Sequence, residues 1–135
     1  MILENNNSVI FTTQLASDVN ALLQGVSSEQ LFILTDEHSK HHCLSLLQSE
    51  GQLLNAKVYT MPCGDDHKTI ETVMNIWQFL GEQGATRQAV LINLGGGVVT
   101  DLGGFVANTF KRGIRFINIP TTLLSMVDAA VGGKT

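Results

Sequence analysis

The sequence predicts an α/β fold, a parallel sheet with helices on both faces, and two observations carry the prediction. Short apolar, β-branched runs alternate with stretches of helical periodicity along the whole chain, the pattern of repeated βαβ units. Two of those runs, LFILT at 31–35 and AVLINL at 89–94, are apolar with little alternation, as strands covered on both faces are. With 135 residues, 44% hydrophobic and 15% charged, the chain can bury one sizeable core and is too apolar for a disordered tail.

The elements follow in order. Residues 9–13 read as the first strand and 31–35 as the second. Asp36 stands where an N-cap would, ahead of a helix over 37–50 that Gly51 stops. A third strand covers 57–61, and PCGD at 62–65 makes a turn. The helix over 68–83 carries Ile70, Val73, Met74, Trp77 and Leu80 on one side and ends at Gly84. That Trp77 stripe reads as core. The fourth strand, 89–94, runs into Gly95, Gly96 and Gly97. A helix over 99–110 follows, then a fifth strand at 114–119 closed by Pro120, Thr121 and Thr122. Residues 123–131 start another helix, which Gly132 and Gly133 break.

Composition removes several function classes. A formal net charge of −4 without any basic run argues against nucleic-acid binding, which needs a cationic surface. No apolar run is long enough to span a bilayer, and MILENNNSVIFTT lacks the parts of a signal peptide. Cys43 and Cys63 form no CxxC pair and read as reduced thiols. The expectation is a soluble cytoplasmic protein that engages neither nucleic acid nor membrane.

In parallel sheets ligands bind beyond the carboxyl ends of the strands. The turns there are 35–36, 94–101 and 120–122. The strongest local signal is NLGGGVVTDLGGF at 93–105: glycines after a buried strand let backbone amides approach a phosphate, and the helix start adds a favourable dipole. A G-x-G-x-x-G fingerprint is missed, because its third glycine position falls on Thr100. Close packing at a tight turn is the plainer alternative, but three successive glycines favour a diphosphate site. Asp101 suits either that site or compensation of the helix dipole. Asp36 suits a ribose hydroxyl or a plain N-cap equally.

Arg112, Asp128 and Lys134 together could bind an anionic, hydroxylated substrate; taken singly they read as surface charges. The closing GKT is not a Walker A loop, since the position that needs glycine is Asp128. His38, His41 and His42 lack the spacing and the third ligand of a metal site, and read as a solvated helix face.

Residues 94–135, LGGGVVTDLGGFVANTFKRGIRFINIPTTLLSMVDAAVGGKT, closely resemble the 3-dehydroquinate synthases of the shikimate pathway, and the turn at 62–68 agrees in layout. The resemblance implies that residues 1–135 are the Rossmann-like, NAD-binding N-terminal domain of a two-domain enzyme. Such an enzyme is a carbon–oxygen lyase that converts 3-deoxy-D-arabino-heptulosonate 7-phosphate to 3-dehydroquinate and phosphate. It uses catalytic NAD and a divalent metal, zinc or cobalt, held by a helical C-terminal domain that this chain does not contain. The chain alone is therefore expected to be inactive, and the whole enzyme to be a homodimer.

Carried over by position, the resemblance places Gly96, Gly97, Val98 and Val99 at the NAD diphosphate, with Asp101 beside them. It places Asp36, Asp65 and Lys68 on the adenosine side and Thr121 and Thr122 on the cofactor. Asp128 and Lys134 fall between nicotinamide and substrate, and Arg112 at the substrate phosphate across the dimer interface. Departures are Asp65 for a usual glutamate, His38 for an asparagine and Thr100 for a glycine. The competing readings are a related sugar-phosphate cyclase, an iron-type polyol dehydrogenase, or a stand-alone dinucleotide-binding domain.

Overall fold

The computed structural model describes residues 2–4, 9–10 and 14–121. Its single sheet has the order β2-β1-β6-β5-β3-β4. The strands are β1 (Ile2–Glu4), β2 (Val9–Ile10), β3 (Leu31–Asp36), β4 (Lys57–Met61), β5 (Val90–Gly95) and β6 (Arg115–Pro120). The last four are mutually parallel, as predicted. The strand expected at 9–13 is present at Val9–Ile10, with 11–13 outside the described residues; it runs antiparallel to the unpredicted β1, and β1 pairs antiparallel with β6. The sheet is thus mixed at one edge; the short connection between β1 and β2 forces that pair to be antiparallel, while the antiparallel β1–β6 pair joins strands far apart in sequence.

Each face of the sheet carries its own core. Phe32, Leu34, Met61 and Leu91 meet Val73, Ile76 and Leu80 of α4 (Ile70–Glu82) and Val99, Leu102 and Val106 of α5 (Gly97–Thr109). On the other face Leu31, Ile33, Val90, Ile92, Leu94, Ile117 and Ile119 meet Val19 and Leu23, at the end of α1 (Leu15–Leu22), and Leu47 and Leu53. All of β5 is buried, and β3 as far as Thr35. Their unbroken hydrophobicity reflects this two-sided cover.

Helix boundaries depart from the prediction where packing overrides periodicity. The helix expected over 37–50 breaks at Cys43 into α2 (Glu37–His42) and α3 (Leu44–Leu47), followed by a 3-10 turn at Gly51–Asn55. The break turns the chain so that Leu47 and Leu53 are both fully buried. Helix α1 was not predicted, although Ala16, Val19 and Leu23 are buried at helical spacing. Helix α4 starts later than expected, with the Thr69 hydroxyl accepting from the Thr72 amide at 3.3 Å. Its buried stripe runs through Val73, Ile76 and Leu80, with Trp77 half-buried and its indole donating to Thr109 Oγ1 at 3.1 Å. Ile70 and Met74, assigned to the same stripe, are 62% and 56% exposed, because they lie further round the helix from the sheet. Gly84 does end the helix, at φ +82.

One polar contact locates α5 on the sheet. Asn93 of β5 is fully buried and donates through Nδ2 to Asn118 Oδ1 of β6 at 2.9 Å. Its side chain fills the space a Cβ on Gly103 would need. Gly103→Ala should therefore lose about 1–3 kcal/mol of unfolding free energy in urea denaturation, the range for overpacking a filled core. Gly104→Ala, whose Cβ would come no nearer than 3.9 Å to Phe116, should be neutral or slightly stabilising.

Candidate functional site

The carboxyl ends of β3, β5 and β6 lie side by side, with Thr35 opposite Leu94 and Gly95 opposite Pro120. The buried Thr35 hydroxyl donates to the Leu94 carbonyl at 2.7 Å, locking β3 and β5 together where they end. From β3 the chain turns toward β4 at the sheet edge; from β5 it turns the opposite way, toward β6. The segment after β3 covers one face and α5 covers the other. This reversal opens a crevice between Asp36 and the Gly95–Gly97 loop, the place where doubly wound sheets bind ligands.

The three glycines serve different ends. A Cβ on Gly95 would come within 2.7 Å of Val99, so this glycine allows α5 to pack close. Around Gly96 and Gly97 a Cβ would meet nothing within 4 Å. Gly96 is the N-cap of α5 and offers no side chain. The first amide tied back is that of Thr100, to the Gly96 carbonyl at 3.1 Å. The amides of Gly97, Val98 and Val99 thus form an uncapped, glycine-flanked helix start suited to an anion. The Thr100 hydroxyl turns inward, to the carbonyls of Gly96 and Gly97 at 3.3 Å each.

Asp101 is corrected in position. A helix beginning at 99 would hold it in the first turn, but α5 begins at Gly97, which sets Asp101 beyond that turn. Its carboxylate instead accepts from Lys68 Nζ at 2.9 Å. The pair joins the β4–α4 connection to α5, with side chains 49% and 61% exposed. The hydrogen bond to Asp101 raises the Lys68 pKa above its ordinary 10.5; the Asp101 charge adds to this and Asp65 adds less. The structure therefore brings Asp65, Lys68 and Asp101 together.

Asp36 caps α2, accepting from the Ser39 amide at 2.7 Å through Oδ1. Oδ2 has no hydrogen bond to a described residue, so the capping role leaves an acceptor for a ligand. Thr121 is half-buried just after β6. Thr122, Asp128 and Lys134 lie outside the described residues. His38, His41 and His42 are exposed with their rings crowded, His38 and His42 having centroids 4.5 Å apart. No three His, Cys, Asp or Glu side chains among the described residues are placed to hold a metal, and no described helix is long and apolar enough to cross a membrane.

Arg112 is not brought to the crevice. It follows the far end of α5, a helix of 13 residues and so about 20 Å long, and stands exposed at the opposite end of the sheet. The chain there is strained: Lys111 and Arg112 have φ 47 and 69, a conformation that costs a residue with a Cβ roughly 1–2 kcal/mol. Sequence reasoning placed Thr35 in a ligand-side turn but missed its bond to Leu94, the Asn93–Asn118 bond and the seating of Asn93 against Gly103. The polar interruption of the apolar run LINLG was the available signal.

A doubly wound sheet with a glycine-lined, uncapped helix start at its switch point is the architecture of dinucleotide-binding domains. A 2-epi-5-epi-valiolone synthase from Streptomyces hygroscopicus subsp. jinggangensis 5008, solved with NAD+ and Zn2+ bound, superposes with a TM-score of 0.70 at 26% identity, over 90% of this chain and 34% of that one. A 2-deoxy-scyllo-inosose synthase complexed with carbaglucose-6-phosphate, NAD+ and Co2+ shares the fold, with a TM-score of 0.58 at 22% identity over 83% of this chain and 32% of its own. The sequence signature described as 3-dehydroquinate synthase N-terminal matches residues 58–135. The chain belongs to that family. It is 44% identical over 131 residues to the 3-dehydroquinate synthase of Parabacteroides distasonis, covering 97% of this chain and 37% of that relative. The chain thus spans about a third of the length of the relatives it matches.

Because the Lys68 pKa is raised, the favourable contribution of its ion pair is complete below 10.5 and is lost as pH rises through the raised value. Lys68→Met should lower the melting temperature slightly at pH 7 and low salt. The difference from wild type should vanish in 1 M salt, where exposed charges are screened within about 3 Å.

Proposed function

We propose that residues 1–135 form the NAD-binding N-terminal domain of a two-domain 3-dehydroquinate synthase. The whole enzyme would act in the cytoplasm, in the shikimate pathway of aromatic amino-acid biosynthesis. The observation that carries this reading is the uncapped start of α5 at Gly96 and Gly97, at the switch point of the sheet and inside a segment that matches the family. The residues present fit NAD. Backbone amides at 97–99 hold the diphosphate, aided by the helix dipole, and the open space at Gly96 and Gly97 lets it approach. Asp36 accepts from a ribose hydroxyl while its other oxygen keeps α2 capped. Asp65, Lys68 and Asp101 line the same side, and Thr121 and Thr122 contact the cofactor after β6.

The activity is loss of phosphate from 3-deoxy-D-arabino-heptulosonate 7-phosphate and closure to 3-dehydroquinate, a carbon–oxygen lyase reaction. NAD supplies a hydride acceptor that returns what it takes, so no net oxidation results. The described residues do not fit the divalent metal, zinc or cobalt, which belongs to the C-terminal domain outside this chain. Asp128 and Lys134 orient the substrate hydroxyls and carboxylate next to the nicotinamide. Arg112, about 20 Å from the crevice of its own chain along α5, binds the substrate phosphate of the other subunit in a homodimer. A related sugar-phosphate cyclase is the second reading, favoured by the likeness to the valiolone synthase.

Two measurements test this. In the full-length protein, phosphate release from the heptulosonate phosphate should require NAD and stop when a chelator removes the metal; release from a different sugar phosphate alone would favour the second reading. Gly97→Ala should leave the melting temperature within error, since its Cβ enters open space, while weakening NAD binding about tenfold or more, some 1.4 kcal/mol. Unchanged NAD affinity in that variant would remove the diphosphate from the start of α5.

A further inference from the structure

We propose that Asn93 is a positioning residue for the dinucleotide site: bonded to Asn118 and seated against Gly103, it interlocks β5 with α5 and fixes where the backbone amides at 97–99 stand. This rests on the function proposed above and extends it to residues that touch no ligand.

The interlock has two reciprocal parts. Asn93 and Gly95 are two apart on β5 and so share the face of the sheet that α5 covers. Val99 and Gly103 are four apart on α5 and so share one face of the helix, about 6 Å apart along its axis. At the strand end the sheet supplies the glycine and the helix the side chain, since a Cβ on Gly95 would stand 2.7 Å from Val99. One helical turn on, the roles reverse: the nearest atoms to a Cβ on Gly103 are those of the Asn93 side chain. Each larger residue meets a glycine of the other element. A helix held by one such contact can pivot about it, whereas two of opposite sense stop it from sliding along the strand.

Asn93 is a destabilising choice for this place. It is fully buried, and its Nδ2 donates to Asn118 Oδ1 at 2.9 Å. Its Oδ1 is buried without a hydrogen-bond partner among the described residues. An amide paired at one end only gives up stability that an apolar side chain of similar size would keep. What the amide adds is direction. Its hydrogen bond to β6 sets the angle of the side chain, so the surface it presents to Gly103 cannot turn. The amides at 97–99 lie within one turn of the Gly95–Val99 contact. Any slip of α5 therefore carries them along, past strand ends that β3 and β6 hold in register.

The test uses the full-length protein, with NAD affinity measured by calorimetry and stability by thermal melting. Gly103→Ala should raise the Kd for NAD about tenfold as well as lower the melting temperature. Asn93→Ala, which removes the stop, should also weaken NAD binding. The double variant moves bulk from strand to helix and should recover most of the lost affinity. Val19→Ala, buried on the opposite face of the sheet, should lower the melting temperature and leave the Kd at its wild-type value. The proposal is overturned by an unchanged Kd in Gly103→Ala, by a Kd raised as far in Val19→Ala, or by a double variant that binds NAD no better than Gly103→Ala. If Gly103→Ala does not fold, Asn93→Ala and the double variant decide in the same way, the double having to bind NAD more tightly. A wild-type protein that fails to bind NAD overturns the functional reading and this role with it, whereas tight wild-type binding that Gly103→Ala leaves intact overturns this role alone.

Discussion

The parallel pairing of β3 with β5 is the constraint on which the rest of the structure depends. Both strands are buried on both faces, and the Thr35 hydroxyl bound to the Leu94 carbonyl closes the pair at its carboxyl end. Every connection is arranged around it. The chain leaves β3 in one direction and β5 in the other, so the loops diverge where the strands end. A crevice at that point is a consequence of topology, before any side chain in it is considered.

Helix α5 joins the two chemically distinct ends of the domain. Its start is left uncapped, so no side chain offsets the partial positive charge of the helix there. Its body is held by Val99, Leu102 and Val106 in the core and by Asn93 seated against Gly103. Its far end delivers the strained turn with Arg112. A rigid helix sets these two ends at a constant separation, so neither can drift with loop motion.

Charged residues near the crevice make use of one another. Asp101 and Lys68 come from elements distant in sequence and form an exposed ion pair. Exposed pairs of this kind contribute little to stability, so the pair matters for where it places two charges beside the glycine loop. Asp36 caps α2 through one carboxylate oxygen and leaves the other without a hydrogen bond to a described residue.

The parallel core strands, the two-sided cover of the sheet and the glycine loop that leads into α5 can all be read along the chain. These follow from local composition: continuous apolar runs report burial on both faces, and glycine clusters report open backbone. The open backbone at Gly96 and Gly97 was legible for the same reason, and Asp36 was legible as a helix cap. Other features depend on residues far apart in the chain. The antiparallel β1–β2 edge, the break at Cys43 and the exposure of Ile70 and Met74 answer to neighbours that periodicity cannot see. The Lys68–Asp101 pair, the Asn93–Gly103 fit and the removal of Arg112 from the crevice are likewise facts of three-dimensional assembly. Physically, local propensity and patterning specify each element, whereas packing between elements settles its ends, its rotation and its partners.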